Sequence, residues 1–474
     1  MGNPAPRTTG EPNPLRWKAL AVCLTAGFMS LLNVSIVNVA LPSIRVGLSA
    51  SEAELQWIVS GYALSFGLVL VAAGRLGDAR GRRTMFVLGV VLFAGSSILG
   101  GFAPNATWLV IARVIQGVGS GFINPQISGL IQELFQGVER GRAFGSLGAV
   151  IGISTAIGPV LGGIIIAAVG PEAGWRWIFL VNIPVGVLAI VLSYRYLPAP
   201  QPSRDSGDLD PVGVVLLGGA VLAFLWPLVN GGTMQAVELL WLIAGAFLLW
   251  LFVRWERRYQ ARGRAPMVDL SLFRLRSYSA GTILAFTYFS GFTGIFFILT
   301  LFFQNSVGYS ALGAGLGLTS FAIGSTLSSW LSGRYVLRAG RKMVVWGLVL
   351  VLLGLAGTQA SVFAVGTATS VGWWMAFPLF IAGIGSGIII SPNQTLTLVE
   401  VPVVRGGSAG GVLQTGQRMG TSVGIAVVGA LYFAGANTHP VTAVSNGLWA
   451  TIGLTAVSLG VGITDLLMRK SAEK

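Results

Sequence analysis

The sequence predicts an all-α integral membrane protein whose fourteen spanning helices form two six-helix bundles plus an inserted helix pair. Three observations predict it. The 474 residues are 54% apolar and only 10% charged, a balance outside that of ordinary soluble domains. Apolar runs of the ~20 residues needed to cross a ~30 Å hydrocarbon core recur fourteen times. Motifs of the first half also return in order in the second.

In chain order the runs fall near 17–41, 55–73, 84–103, 107–131, 142–169 and 176–197, then 211–230 and 236–253. The last six fall near 277–303, 311–332, 342–361, 371–398, 407–433 and 443–468. The runs are continuous, which excludes the alternating pattern of a porin-like barrel. The 67 glycines fit membrane helices, where small residues let backbones approach closely. Residues 1–16 carry four prolines and are expected to be a disordered cytoplasmic tail, with no cleavable leader. The first bundle then occupies 17–197, the linker and inserted pair 198–276, the second bundle 277–468, and a short cytoplasmic tail 469–474.

The repeat justifies the division. GRLGDARGRR (74–83) aligns with GRYVLRAGRK (333–342), GVGSGFI (117–123) with GIGSGII (383–389), and ERGRAFG (139–145) with VRGGSAG (404–410). The offsets, 259, 266 and 265, are nearly constant, and Glu133 and Glu400 keep the register at 267. Each unit holds an even number of helices, so both copies insert the same way up. Parallel repeats of this kind mark transporters with a substrate site near mid-membrane between the halves. The polar PAPQPSRDSGDLDP (198–211) introduces the inserted pair.

The net charge of +14 does not call for nucleic acid. With the amino terminus inside, 26 of the 30 Lys and Arg lie in cytoplasmic loops and tails and only Arg45 and Arg176 outside. That is the positive-inside asymmetry, and it puts both termini in the cytoplasm. The seven arginines from Arg254 to Arg276 are read as topogenic and in contact with lipid headgroups. A single cysteine, Cys23, excludes an intramolecular disulfide and a cysteine metal cluster. One histidine, His439, in an outer loop and no HExxH string leave no constellation for acid–base or metal catalysis, so no enzyme and no metal site are expected. A sensor would need a larger soluble domain than these loops supply. Arginine outnumbers lysine 26 to 4, a compositional hint of a GC-rich bacterial genome.

The motifs resemble those of the fourteen-helix drug:proton antiporters of the major facilitator superfamily, the EmrB/QacA type. Gly74 to Arg83, with Gly74, Asp78, Gly81, Arg82 and Arg83, matches the superfamily's loop between its second and third helices. The resemblance implies a gating latch there. Physically, glycines permit the tight turn and Asp78 can pair with arginines or cap a helix start. Leu337 stands in the second copy, so any latch is asymmetric. Arg113, Gln116, Gly117 and Gly119 match the fourth-helix motif. Gly148, Gly152, Gly158-Pro159 and Gly162 match the antiporter motif of the fifth. WRWIFLVNIPVG (175–186) is the most family-specific string, although its tryptophans also suit an interfacial belt. The inner-mouth residues Glu133, Arg140 and Glu400 complete the expected gate. What the resemblance implies is alternating-access efflux from a bacterial inner membrane by a monomer. Its substrate is a small amphipathic molecule, it has no cofactor, and its drive is a proton gradient.

One departure changes the chemistry. Before Asn38-Val39-Ala40-Leu41-Pro42 the family carries an aspartate, and this chain has Asn33. An amide cannot titrate, so no proton rides there. Asn33 and Arg113 lie at similar depths and are expected to be neighbours. The 16 acidic residues fall in loops or helix ends, Glu133 and Glu400 being read as the most embedded. The interior is therefore expected to present Arg113 and Arg418 without a carboxylate, which favours neutral or anionic cargo over cations. Amides Asn124, Gln126, Asn393, Gln394, Gln414 and Gln417 join the candidate binding residues. The aromatics Phe286, Tyr288, Phe289, Phe292, Phe296 and Phe297 line either a cavity or a packing face. The alternative to proton-driven export is a uniporter or anion-coupled carrier of small organic molecules or lipid-like acids.

Overall fold

The hydrophobic runs become helices, many of them longer than the run itself. The computed structural model describes residues 14–170, 172–199, 210–229, 236–434 and 439–472. Most of the expected tail and most of the 198–211 loop lie outside them. The first runs give α1 (Arg16–Leu48), α2 (Glu52–Arg80), α3 (Arg82–Gly101), α4 (Ala106–Leu134) and α5 (Gly137–Val169). Local chemistry extends and ends them. Ser51 and Glu54 form a reciprocal capping box on α2, with two acids in its first turn against the positive helix end. Asn105 caps α4 through the Trp108 N–H at 2.9 Å. Gly81, at φ +102°, turns α2 directly into α3, a conformation that L side chains rarely adopt.

The sixth run divides into α6 (Gly174–Leu180) and α7 (Asn182–Tyr196). Asn182 Nδ2 donates back to the Phe179 carbonyl at 3.1 Å at the break. Trp175 is fully buried against α1, which corrects the interfacial reading for that residue, whereas Trp177 is exposed. The inserted pair is α8 (Pro211–Val229) and α9 (Ala236–Ala261). The remaining helices are α10 (Arg276–Leu301), α11 (Ala311–Ala339), α12 (Arg341–Val365), α13 (Val371–Leu398), α14 (Gly406–Phe433) and α15 (Pro440–Ala472).

Among the described residues ten spans are long and apolar enough to cross a membrane, with α6 and α7 counted as one. The difference from fourteen has a physical side. Helices α11 and α14 are rich in Gly, Ser and Thr because they pack on protein: α11 on α5 and α13, α14 on α2, α4 and α10. Helix α1 lies on α4, α5 and α7, while α4 also packs on α2 and α3. Helix α10 packs on α14 and α15, and α12 on α13 and α15. The pair α8–α9 is held at α2 and α14.

Several crossings bring glycines against a neighbouring backbone, and two of them correspond. Gly74 of α2 meets the Gly407 carbonyl of α14, and Gly333 of α11 meets the Gly141 carbonyl of α5. Gly74 and Gly333 are register partners in the repeat, and Gly407 adjoins Gly406, the partner of Gly141. The duplicated sequence therefore builds the same contact twice. Cys23, on α1, is buried in the apolar cluster of the first half.

Candidate functional site

The polar residues of the first four helices converge on Arg113. Its Nη1 donates to Asn33 Oδ1 of α1 and, at 2.6 Å, to Gln116 Oε1. Its Nε donates to the Ile58 carbonyl at 2.9 Å. The guanidinium lies 4.1 Å from the centre of the Tyr62 ring. Gln116 Nε2 passes the network on to Ser97 Oγ at 2.8 Å. Tyr62 bonds the Ser30 carbonyl at 3.0 Å and Ser120 Oγ at 2.6 Å, and Asn124 Nδ2 donates to Ser30 Oγ at 3.1 Å. Asn33 and Arg113 are thus direct neighbours.

Arginine carries donors only, so it fixes the Asn33 carbonyl oxygen toward itself. The Asn33 Nδ2 is left buried and without an acceptor among the described residues. A spare donor in the interior is costly unless something accepts from it.

Arg418 of α14 lies over the Phe66 ring at 4.3 Å. Phe66 meets Tyr62 edge-on, with centroids 5.9 Å apart. Guanidinium, ring, ring and guanidinium follow one another from α4 through α2 to α14. A desolvated cation–ring contact contributes about 2 kcal/mol. Among the described residues no carboxylate pairs with Arg113 or Arg418. Gln414 Nε2 bonds the Asn124 carbonyl at 3.3 Å, tying α14 to α4 beside this ladder.

A second polar cluster gathers at the arginine-rich end. Asp78, 1% exposed, accepts the Gly407 N–H at 2.9 Å and the Ser408 N–H at 2.8 Å, so it caps α14 from another helix. Arg82 pairs with Asp78 at 3.0 Å and with Glu133 at 2.9 Å, and donates to the Gly129 and Val403 carbonyls. Arg140 holds the Phe135 and Gln132 carbonyls at the end of α4. Arg83 reaches the Leu197 carbonyl at 3.4 Å. Along α5, Gly158 and Gly162 pack on Ser35 and Ile36 of α1, and Pro159 on Gly315 of α11.

A match to known sequences decides membership. The pattern described as Major Facilitator Superfamily matches residues 23–425, with a second match over 282–464. The chain belongs to the Major Facilitator Superfamily. Similar curated superfamily proteins include the probable actinorhodin transporter of Streptomyces coelicolor, 36% identical over 93% of this chain and 77% of that protein. The multidrug resistance protein Stp of Mycobacterium tuberculosis is 33% identical over 86% of this chain and 74% of that protein. Among solved structures, the proton:xylose symporter XylE superposes with a TM-score of 0.67 at 15% identity over 95% of both chains, a likeness of fold. This member is a multi-pass membrane transporter.

The superfamily frame exposes what the sequence reading misplaced. Glu133 is 39% exposed at its side chain and Glu400, bonded to Ser277 Oγ, is exposed too. The buried acids are Asp78, Asp210, Glu256, Asp269 and Asp465. Asp78, Asp210, Glu256 and Asp269 sit outside the apolar runs, whereas Asp465 lies near the end of the last one, and neighbouring protein buries all five. Asn393 serves Arg341, which also pairs with Asp465 at 3.1 Å, so in the second copy an acid from α15 takes the part that Asp78 plays in the first. Asn38 is exposed and outside the Arg113 network, while Gln126 Nε2 holds the Ala73 carbonyl at 2.7 Å. Gln394 and Gln417 are buried. Phe289, Phe292 and Phe296 are half-buried and stack on Phe321 or one another at 5.1–6.0 Å. Tyr62 and Phe66 were the residues sequence reading missed. Their i,i+4 spacing on one helix face was the available signal.

Proposed function

We propose that this chain exports neutral or anionic amphipathic molecules by alternating access, as a fourteen-helix member of the drug-antiporter branch. Residues 17–197 and 277–468 are its two rocking bundles. Its cargo site lies at the ladder from Arg113 through Tyr62 and Phe66 to Arg418. The observation that carries this reading is the pair of interior guanidiniums held by rings and amides rather than carboxylates. A cation entering low dielectric would find no partner there, whereas a carboxylate or phenolate would find two, plus the free Asn33 Nδ2. The names of the relatives, an antibiotic transporter and a multidrug resistance protein, support export of such molecules.

Asp78, capping α14 together with Arg82, is the latch of the closed inner gate in this reading. Protons drive the cycle from a site other than Asn33. The second reading, a uniporter or anion-coupled carrier, is favoured by that same amide and predicts flux indifferent to a pH gradient. Flux in proteoliposomes tests the cargo assignment. Arg418→Ala should cut uptake of an anionic amphiphile at least tenfold (about 1.4 kcal/mol) while changing a neutral analogue little. Transport of permanent cations alone, unaltered by Arg418→Ala, would refute it.

A further inference from the structure

Arg75 lies in the gate motif but takes no part in the gate. Its Nε and Nη2 are buried and have no hydrogen-bond partner among the described residues. The nearest acid in sequence, Asp78, is occupied by Arg82 and the start of α14. Arg75 instead lines an open crevice of about 320 Å³ between α2 and α8. The rest of the lining is apolar: Ala72, Leu76, Pro211, Val214, Val215 and Met267. Val215, at its edge, is 72% exposed. The crevice lies where α2 leaves its apolar run and α8 begins, which is headgroup depth by the segmentation of the sequence.

We propose that this crevice seats one anionic phospholipid, its phosphate on Arg75 and the upper part of an acyl chain along Ala72, Val214 and Val215. Charge, wall and size agree on that occupant. A guanidinium bonds phosphate oxygens through paired donors, and Arg75 has two donors unused. A free anion would leave the apolar wall uncovered, and a neutral chain would leave the guanidinium unsatisfied. The volume is at the small end of ligand pockets: enough for the phosphate neck and first methylenes, with the rest of the lipid in the bilayer. Arg75 stands one turn from Asp78 and next to Gly74, which touches α14. A lipid bridging α2 and α8 there braces the gate from outside. The proposal is independent of the cargo, because lipid retention is read without substrate.

Native mass spectrometry of the purified full chain, titrated with phosphatidylglycerol or phosphatidylcholine of the same acyl chains, tests it. The wild type should retain one phosphatidylglycerol at least tenfold more tightly than phosphatidylcholine. Arg75→Gln and Val215→Trp, the second filling the mouth from an exposed position, should each abolish that preference. Arg262→Gln, at an exposed arginine of the same end, should keep it. Millimolar inorganic phosphate should not displace the lipid. Unchanged preference in Arg75→Gln, equal retention of phosphatidylcholine, or displacement by phosphate would each overturn the assignment.

Discussion

At the scale of residues, the chemistry turns on one missing oxygen charge. Asn33 accepts from Arg113 where an aspartate would form an ion pair, and it leaves its own N–H₂ unused. Asn33→Asp would place a carboxylate against a desolvated guanidinium, so protonation of that side chain would couple to release of Arg113. The variant's export rate should acquire a dependence on an imposed pH gradient of severalfold or more. Proton coupling through this position would be untenable if variant and parent responded identically. The contact between Asn33 and Arg113 was legible in sequence, because depth along two helices fixes their level. The ring ladder was not legible, because it exists only once α14 crosses α2 and lays Arg418 on Phe66.

At the scale of elements, close packing and buried acids set the tolerances. A Cβ at Gly333 would strike the Gly141 carbonyl, and neither backbone can yield without separating α5 from α11. Gly333→Leu should therefore cost about 1–3 kcal/mol or more, read as a drop in thermal midpoint. Gly453→Ala, where a Cβ meets nothing within 4 Å, should be neutral or slightly stabilising.

The inserted pair carries a different sensitivity. Asp210 and Glu256 are both fully buried and lie side by side. Burial, with the Asp210 charge beside it, pushes the Glu256 carboxyl up to about 8. A raised acid stabilises the fold fully below its unfolded value and loses that contribution as pH rises through the folded one. The thermal midpoint should fall by roughly 3 °C or more between about pH 6 and about pH 9, and Glu256→Gln should flatten the slope. An unaltered slope in that variant would assign the effect elsewhere. Composition located every apolar run, but it could not locate these acids, because their burial comes from neighbouring loops and helices rather than from their own segment.

At the scale of the whole molecule, the duplicated sequence makes like backbone contacts but unlike polar clusters. The first copy holds Asp78 on Arg82. In the second, Leu337 stands in the place of Asp78 and is 40% exposed, while Arg341 turns inward to Asn393 and Asp465. In the latch proposed above, Asp78 has no carboxylate counterpart at its repeat position, Leu337. Asp78→Asn should remove about 1–3 kcal/mol of charged hydrogen bonding, shifting the proposed gate about five- to a hundred-and-fiftyfold toward open. Spin labels at Arg80 and Val404, both exposed, would report it as growth of a longer-distance population. A distance distribution identical to that of the parent would rule out the latch. The repeat made the like contacts readable from sequence. The unlike ones needed coordinates, since Asp465 lies outside every repeated motif.

Cys23 carries a practical consequence of the way α1 is packed. The chain's one thiol is 1% exposed, inside the apolar cluster that α1 shares with its neighbours. Water-borne maleimides and methanethiosulfonates have no route to it while the fold is intact. The native chain thus behaves toward such reagents as a cysteine-free background, and pairs of reporter thiols can be added at Arg80, Val404 or any exposed position without first removing a residue from the core.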